Sequence, residues 1–257
     1  MLWYSNVTRK SRKNDLVQQV IEDFNKWCHK NKLIVNINKT SIIDFRNRSR
    51  SISNTISTTA TVKYLGIVMD TNLRWTSQID EVVKKLNKSF FAIMTLKNYL
   101  NNNSLLSVYY ALVHSALNYN IIAWGQSTEL NRLFLAQKCI IRLMFNLRNI
   151  HSCRETFKKQ GILTVTSIYL YKLLTNFHAH KRMHRTHTQI HGHDTRGKDS
   201  FYEPKPNYAF YKRSPMFAGT HMYNLLPEKL KACKSLGIFR RETRKFLIRN
   251  CFYTIDE

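Results

Sequence analysis

Lys63-Tyr64-Leu65-Gly66-Ile67-Val68-Met69-Asp70, continued by Leu73-Arg74-Trp75, is the stretch on which the rest of the chain hangs. Lys63, Leu65, Ile67 and Met69 alternate with Tyr64, Val68 and Asp70, the period of a strand whose two faces meet different surroundings. Gly66 stands in its middle, where a glycine weakens a strand. It marks a bulge, a closely packed helix, or the approach of another backbone such as that of a nucleic acid.

Upstream, apolar residues recur at Leu16, Val17, Val20, Ile21, Phe24, Trp27 and Cys28, with Glu22, Asp23, Lys26 and Lys30 opposite, so a helix runs from Asp15. Leu33, Val35 and Ile37 then alternate with Asn36 and Asn38, which predicts a strand, and a second strand follows over 41–45. The Ser/Thr/Asn/Arg-rich stretch 46–61 reads as a loop. With the strand over 62–70, these elements form a small three-stranded antiparallel sheet half buried on the helix. Residues 1–14, with Arg9, Lys10, Arg12 and Lys13, have no periodicity and read as a basic flexible arm.

Beyond Trp75 the period becomes helical. Thr76 is placed to cap a helix with Asp80 and Glu81 near the positive end of its dipole and Ile79, Val82, Val83, Leu86, Phe90, Ile93 and Met94 on its apolar face. Further helices are predicted over 104–117 and 128–145, and from a Ser152-x-x-Glu155 capping box to near Gly161. Others follow over 167–182, 216–226 and 236–248. Between them, 183–206 reads as a long His-rich basic loop. The fold class is therefore α+β: a small antiparallel sheet with a packed helix over 15–75, a helical bundle over 76–182, the loop, and a helical region over 207–257.

The 257 residues can bury a sizeable core, and 43% hydrophobic content marks a globular chain. Forty-one Lys and Arg against sixteen Asp and Glu leave a net charge of +25, spread along the whole chain. Such a surplus favours polyanions, chiefly nucleic acid and otherwise an acidic membrane surface. No apolar run approaches the ~18 residues of a membrane span, so an intracellular protein of the cytoplasm or nucleus is expected. The five cysteines, Cys28, Cys139, Cys153, Cys233 and Cys251, include no Cys-x-x-Cys pair and read as reduced, mostly buried thiols.

Residues 27–40, from Trp27-Cys28-His29-Lys30 to Asn38-Lys39-Thr40, then 42–45, then Lys63-Tyr64-Leu65-Gly66-Ile67 resemble, in order and spacing, the later palm of reverse transcriptases from non-LTR (LINE-like, jockey-type) retrotransposons. Residues 119–125 with Ala123-Trp124-Gly125, the helix carrying Gln137, Lys138 and Arg142, and Tyr223-Asn224-Leu225-Leu226-Pro227 resemble the thumb and C-terminal region of the same proteins. The resemblance spans roughly residues 16–247. It implies a partial palm over 15–75, a thumb-like region over 76–182, an inherited activity of RNA-directed DNA polymerisation, and RNA and DNA as partners. Neither a membrane nor a small-molecule substrate is implied for the fragment.

Polymerases of this kind bind two metal ions on aspartates that include an adjacent pair. No Asp-Asp occurs here, and Asp44 and Asp70 stand apart, each readable as a solvated strand residue or a turn contact. In the family the Asp-Asp hairpin precedes the helix matching 16–31, so Mg2+ is expected only of a full-length enzyme and no cofactor of this chain alone. Lys39 matches a palm lysine that neutralises the pyrophosphate leaving group, a role the resemblance implies against the plainer reading of a solvated turn lysine. Tyr64, Leu65 and Gly66 match the primer grip. Lys84, Lys85, Lys88, Arg132, Lys138 and Arg142 are the thumb cations placed for phosphate contacts, or else ordinary solvated helix faces. His178, His180, His184, His187, His191 and His193 lack accompanying cysteines, so no metal site is expected and the tract reads as solvated and open to phosphate. Three functions remain open: a polymerase fragment that retains template–primer binding, a non-enzymatic RNA- or DNA-binding module, and a non-functional relic.

Overall fold

Leu65 and Gly66 both adopt left-handed backbone conformations, with φ of 47° and 79°, and this divides the strand that the alternation predicts. Two consecutive residues with positive φ make the tight turn that joins antiparallel strands with matching twist. The outcome is a hairpin of β1 (Thr61–Tyr64) and β2 (Ile67–Asp70), pairing Thr61 with Asp70, Val62 with Met69, Lys63 with Val68, and Tyr64 with Ile67. Facing pairs share a side of the sheet, so Val62 and Tyr64 join Ile67 and Met69, while Lys63 lies across from Val68. A continuous strand would have put Lys63 with Ile67; the turn reverses that assignment.

The computed structural model describes residues 10–36, 39–43, 45, 59–191, 200–203, 205 and 209–257. They fall into two compact units, Met1–Leu73 and Arg74–Glu257. In the first unit, α1 (Lys10–Lys30) begins inside the stretch expected to be a flexible arm. It ends where Lys32 turns left-handed and the Leu33 amide returns to the Cys28 carbonyl over 2.9 Å. Among the described side chains of its apolar face, only Cys28 is buried; Trp27 is 44% exposed. Residues 33–36 and 41–43 are not strands. Leu33 is 53% exposed and Val35 only half-buried, so the described part of the alternation has no buried face to serve, and Asn36 draws the chain into a turn by accepting from Lys39 N (3.1 Å) and Thr40 Oγ1 (2.9 Å). Ile37 and Asp44 lie outside the described residues.

The second unit is helical: α2 (Thr76–Leu96), α3 (Asn102–Tyr109), a π-turn (Tyr110–His114), α4 (Ser115–Asn118), α5 (Ile121–Trp124), α6 (Leu130–Phe145) and α7 (Arg154–Gln160), then α8 (Val165–His180), α9 (His187–His191), α10 (Ala209–Lys212), α11 (Pro215–Asn224), α12 (Glu228–Lys231) and α13 (Leu236–Asn250). One core runs from Ile79 to Cys251. At its centre is α8, which packs against α4, α5, α6, α11 and α13. Residues 162–170 are all buried, which a helix reaches only when neighbours cover every side. Each fully buried Leu, Ile or Phe in such a position contributes about 1.5–3 kcal/mol.

Thr164, Thr166 and Ser167 in that stretch are hydrogen-bonded. Thr164, at the N-cap of α8, accepts from Ser167 N–H (3.1 Å) and donates to the Phe252 carbonyl (2.6 Å), and Thr166 donates to the Tyr253 carbonyl (3.0 Å). Those bonds hold the C-terminal residues onto the start of α8, which begins two positions earlier than its apolar pattern predicts. Gln137, fully buried on α6, donates to Tyr109 Oη (2.8 Å) and the Leu163 carbonyl (2.9 Å) and accepts from Val165 N–H (2.8 Å). One amide thus joins α3, α6 and α8.

Two helix starts depart from expectation. Trp75, with φ 65°, occupies the N-cap of α2 instead of Thr76, so Asp80 and Glu81 fall beyond the first turn. The N-cap of α7 is Cys153, and Ser152 Oγ accepts from Arg154 N–H (3.3 Å), one residue short of the predicted box. The stretch 183–206 is more ordered than a loop where it is described: α9 lies within it, and Thr186 pairs with Phe201.

Candidate nucleic-acid interface

Helices α2 and α6 lie side by side in the same direction. Their leading ends are joined by Arg132 and Asp80, 2.8 Å apart, and their trailing ends by Lys97 Nζ donating to Asn146 Oδ1. This packing bears on which of the six helix cations expected to contact phosphate have partners. Arg132 is held by Asp80 and, at 3.6 Å, by Glu129. Lys84 pairs with Glu81 at 2.9 Å, and that carboxylate raises its pKa.

Lys138 directs its ammonium over the rings of Phe134 (4.8 Å) and Tyr253 (5.7 Å), a cation–π arrangement that ties α6 to the C-terminal residues. Arg142 is half-buried, with Nη2 3.5 Å from the His151 carbonyl. Lys85 and Lys88 are different: both are exposed on α2, one turn apart, and neither forms an ion pair among the described residues. The remaining four cations of this set each have a carboxylate, ring or carbonyl partner, although Lys84 and Arg132 are still exposed; Lys85 and Lys88 have no carboxylate partner among the described residues.

A second basic face was not singled out from the sequence. On α13, Phe239, Thr243 and Leu247 are buried, and Arg240, Arg241, Arg244, Lys245 and Arg249 occupy the exposed side. Glu242 takes Arg241 (3.2 Å) and Lys245 (3.1 Å), which lowers its own pKa through those hydrogen bonds. Arg240 and Arg249 form no ion pair among the described residues. The signal lies in the sequence as cations spaced three, four and five apart around the apolar stripe.

In the first unit, Lys39 is exposed and its amide bonds back to Asn36, with Oδ1 at 3.2 Å. Tyr64, Leu65 and Gly66 form the exposed tip of the hairpin, where Leu65 is 71% exposed. Asp70 closes a turn, its carboxylate accepting from Asn72 N–H at 3.1 Å. Asp44 lies outside the described residues.

The histidines do not form one tract. His178 is 5% exposed; its Nδ1 lies 2.9 Å from Tyr223 Oη, and its ring stacks on Phe239 at 3.9 Å and 10°. Burial, then the charge of Lys181, lowers its pKa to about 4, so it is a neutral core residue. His184 packs on Phe177 (4.3 Å) and His187 edge-on to Tyr202 (5.6 Å). His180 Nδ1 is 2.9 Å from the Asn176 carbonyl; the side chain of His191 and all of His193 lie outside the described residues.

Among the described residues, no group of three or more His, Cys, Asp or Glu side chains is placed to hold a metal ion. All five cysteines are free thiols. Burial pushes the pKa of Cys153 up and that of Cys251 up to about 11, which keeps both protonated and unreactive. Among the described residues, no helix is long and apolar enough to cross a membrane.

The words that carry the family resemblance in this unit are packing features. Trp124 is fully buried and donates from Nε1 to the Tyr119 carbonyl (3.1 Å), and a Cβ on Gly125 would overlap the Tyr169 ring. Asn224 bonds both ways with the Phe201 backbone, at 3.0 and 2.8 Å, and Pro227 opens α12. No known protein family, curated protein or solved structure matches the chain.

Proposed function

We propose that this chain binds RNA and DNA through their phosphates, without sequence preference, inside the cell. The observation that carries this reading is the set of exposed helix cations, Lys85 and Lys88 on α2 with Arg240 and Arg249 on α13, left without carboxylate partners among the described residues in a chain of net charge +25. Cations presented in this way contact phosphates and release counterions, and they read backbone geometry instead of base edges.

Within that reading, the chain is the late palm, thumb and C-terminal part of a non-LTR retrotransposon reverse transcriptase. The ordered words of the resemblance support this assignment. The hairpin tip Tyr64–Gly66 then meets the primer, Lys39 assists the leaving group, and α2 with α6 forms the thumb face. Polymerisation by such an enzyme requires an Asp-Asp pair, which this sequence does not contain. A binding module with no polymerase ancestry would share the same basic faces.

The experiment has two arms. Anisotropy titration with two RNAs and two DNAs of unrelated sequence is expected to give affinities within a few-fold of each other; a strong preference for one sequence contradicts phosphate-led binding. Primer extension on an RNA template then separates the two ancestries. The chain joined to a segment carrying the family's Asp-Asp hairpin is expected to extend the primer, and Lys39→Ala in that protein to slow the chemical step more than it weakens nucleotide binding. Binding without extension by the joined protein favours the simple module.

A further inference from the structure

A cavity of about 150 Å³ opens where the π-turn, α8 and α13 meet, and its polar walls are Tyr110, His114, Asn118, Tyr171, Lys172 and Arg244. That is roughly ten times the ~10–15 Å³ that holds one water, so the space suits a small polyatomic ligand. None of the residues lining it is a carboxylate.

Three features converge on it. The π-turn, closed by Ser115 N–H on the Tyr110 carbonyl, is a rare widening of a helix that re-aims side chains and recurs at functional sites. It carries His114, whose Nδ1 is shielded from solvent and has no hydrogen-bond partner among the described residues. An orphaned buried polar atom is costly unless something pairs with it. His114, Lys172 and Arg244 line the same cavity, and burial, then the charges of Arg244 and Lys172, lowers the His114 pKa. Arg244 is anchored from behind: its Nη2 donates to the Gly161 carbonyl (3.2 Å), which also accepts from Tyr110 Oη (3.4 Å).

We propose that this cavity binds a phosphate group, with Lys172 and Arg244 supplying the positive charge and His114 a buried hydrogen-bonding nitrogen. Two cations, one of them anchored, with no carboxylate in the walls favour an anion, and a doubly charged tetrahedral one over a carboxylate. A guanidinium fork beside an ammonium matches phosphate oxygens, which accept from several directions at once. Tyr110 and Tyr171 complete the polar walls. That phosphate belongs either to a small molecule or to the end of a nucleic-acid strand. The inference does not depend on the lysines of α2, none of which lines the cavity.

The test is calorimetric titration of the full chain with inorganic phosphate at low ionic strength, with acetate as the carboxylate comparison. Phosphate is expected to bind with a Kd of ~0.1–1 mM and acetate much more weakly. Lys172→Gln and Arg244→Gln are each expected to weaken phosphate binding at least about tenfold, the loss of one charged hydrogen bond. Lys234→Gln, an exposed lysine elsewhere, is expected to change nothing, and Arg244→Lys to recover part of the loss. Circular dichroism of each variant confirms that it is folded. No heat up to 10 mM phosphate (~10 mM, far above the range expected), equal binding of acetate, or equal affinity in the Lys172, Arg244 and Lys234 variants overturns the proposal. With phosphate binding established, 5′-phosphorylated and 5′-hydroxyl oligonucleotides identify the source. A preference for the phosphorylated strand that disappears in Arg244→Gln assigns the cavity to a strand end; no preference assigns it to a small phosphate compound.

Discussion

Gln137 Nε2 donates to the hydroxyl oxygen of Tyr109 across 2.8 Å, in a core where both side chains are fully buried. Burial pushes the Tyr109 pKa far above its ordinary value, so that hydroxyl stays protonated at any physiological pH. The same amide serves the Leu163 carbonyl and the Val165 amide, so its removal orphans backbone groups at the start of the central helix. Gln137→Leu is expected to cost about 2–4 kcal/mol and Tyr109→Phe about 1 kcal/mol. Urea unfolding followed by far-UV circular dichroism measures both. A Gln137→Leu protein as stable as the parent would mean that the network contributes nothing.

His178 gives the fold a pH dependence of known sign. Its folded pKa of about 4 lies below the ordinary value near 6.5, so the unfolded chain takes up the proton first. The stabilisation is fully present above about pH 6.5 and is lost as the pH falls towards 4, about 1–2 kcal/mol after allowance for screening. Urea midpoints at pH 7.5, 5.5 and 4 for the parent and for His178→Gln read this directly. The variant is expected to lose less stability across that window, and parallel curves would remove His178 as the source.

The helices of the second unit were legible because their apolar spacing is strong, and α2, α6 and α13 fall close to where that spacing puts them. The hairpin was not. Alternation looks the same in one strand and in two joined by a two-residue turn, and here the first turn residue is a leucine, which rarely adopts positive φ. Nor did the pattern of α8 reveal that it is buried on every side, because Thr164, Thr166 and Ser167 hide their polarity in hydrogen bonds to distant backbone and to one another. The candidate site was half legible. Cation positions can be read from sequence, but whether a cation is free depends on partners such as Asp80 for Arg132, 52 positions away in the chain.

The turn itself supplies the next expectation. Asn tolerates the left-handed conformation that Leu65 holds at φ 47°, and Asn-Gly is the favoured pair for this kind of turn. Leu65→Asn is therefore expected to stabilise the hairpin by about 0.5–1 kcal/mol. Amide hydrogen exchange along β1 and β2 should slow accordingly. Faster exchange would place residue 65 outside the left-handed region.

The account rests on phosphate contacts made by the open cations of α2 and α13, and the salt dependence of nucleic-acid affinity tests it most directly. Log Kd against log salt is to be measured for the parent, for Lys85→Gln/Lys88→Gln and for Arg240→Gln/Arg249→Gln, on one single-stranded RNA and one DNA duplex. The parent is expected to lose affinity steeply with salt. Each double variant is expected to lower the slope by about 1.4 units on the single strand and about 1.8 on the duplex, the release associated with two phosphate contacts. A flat response in the parent, or an unchanged slope in both variants, would contradict the proposed interface.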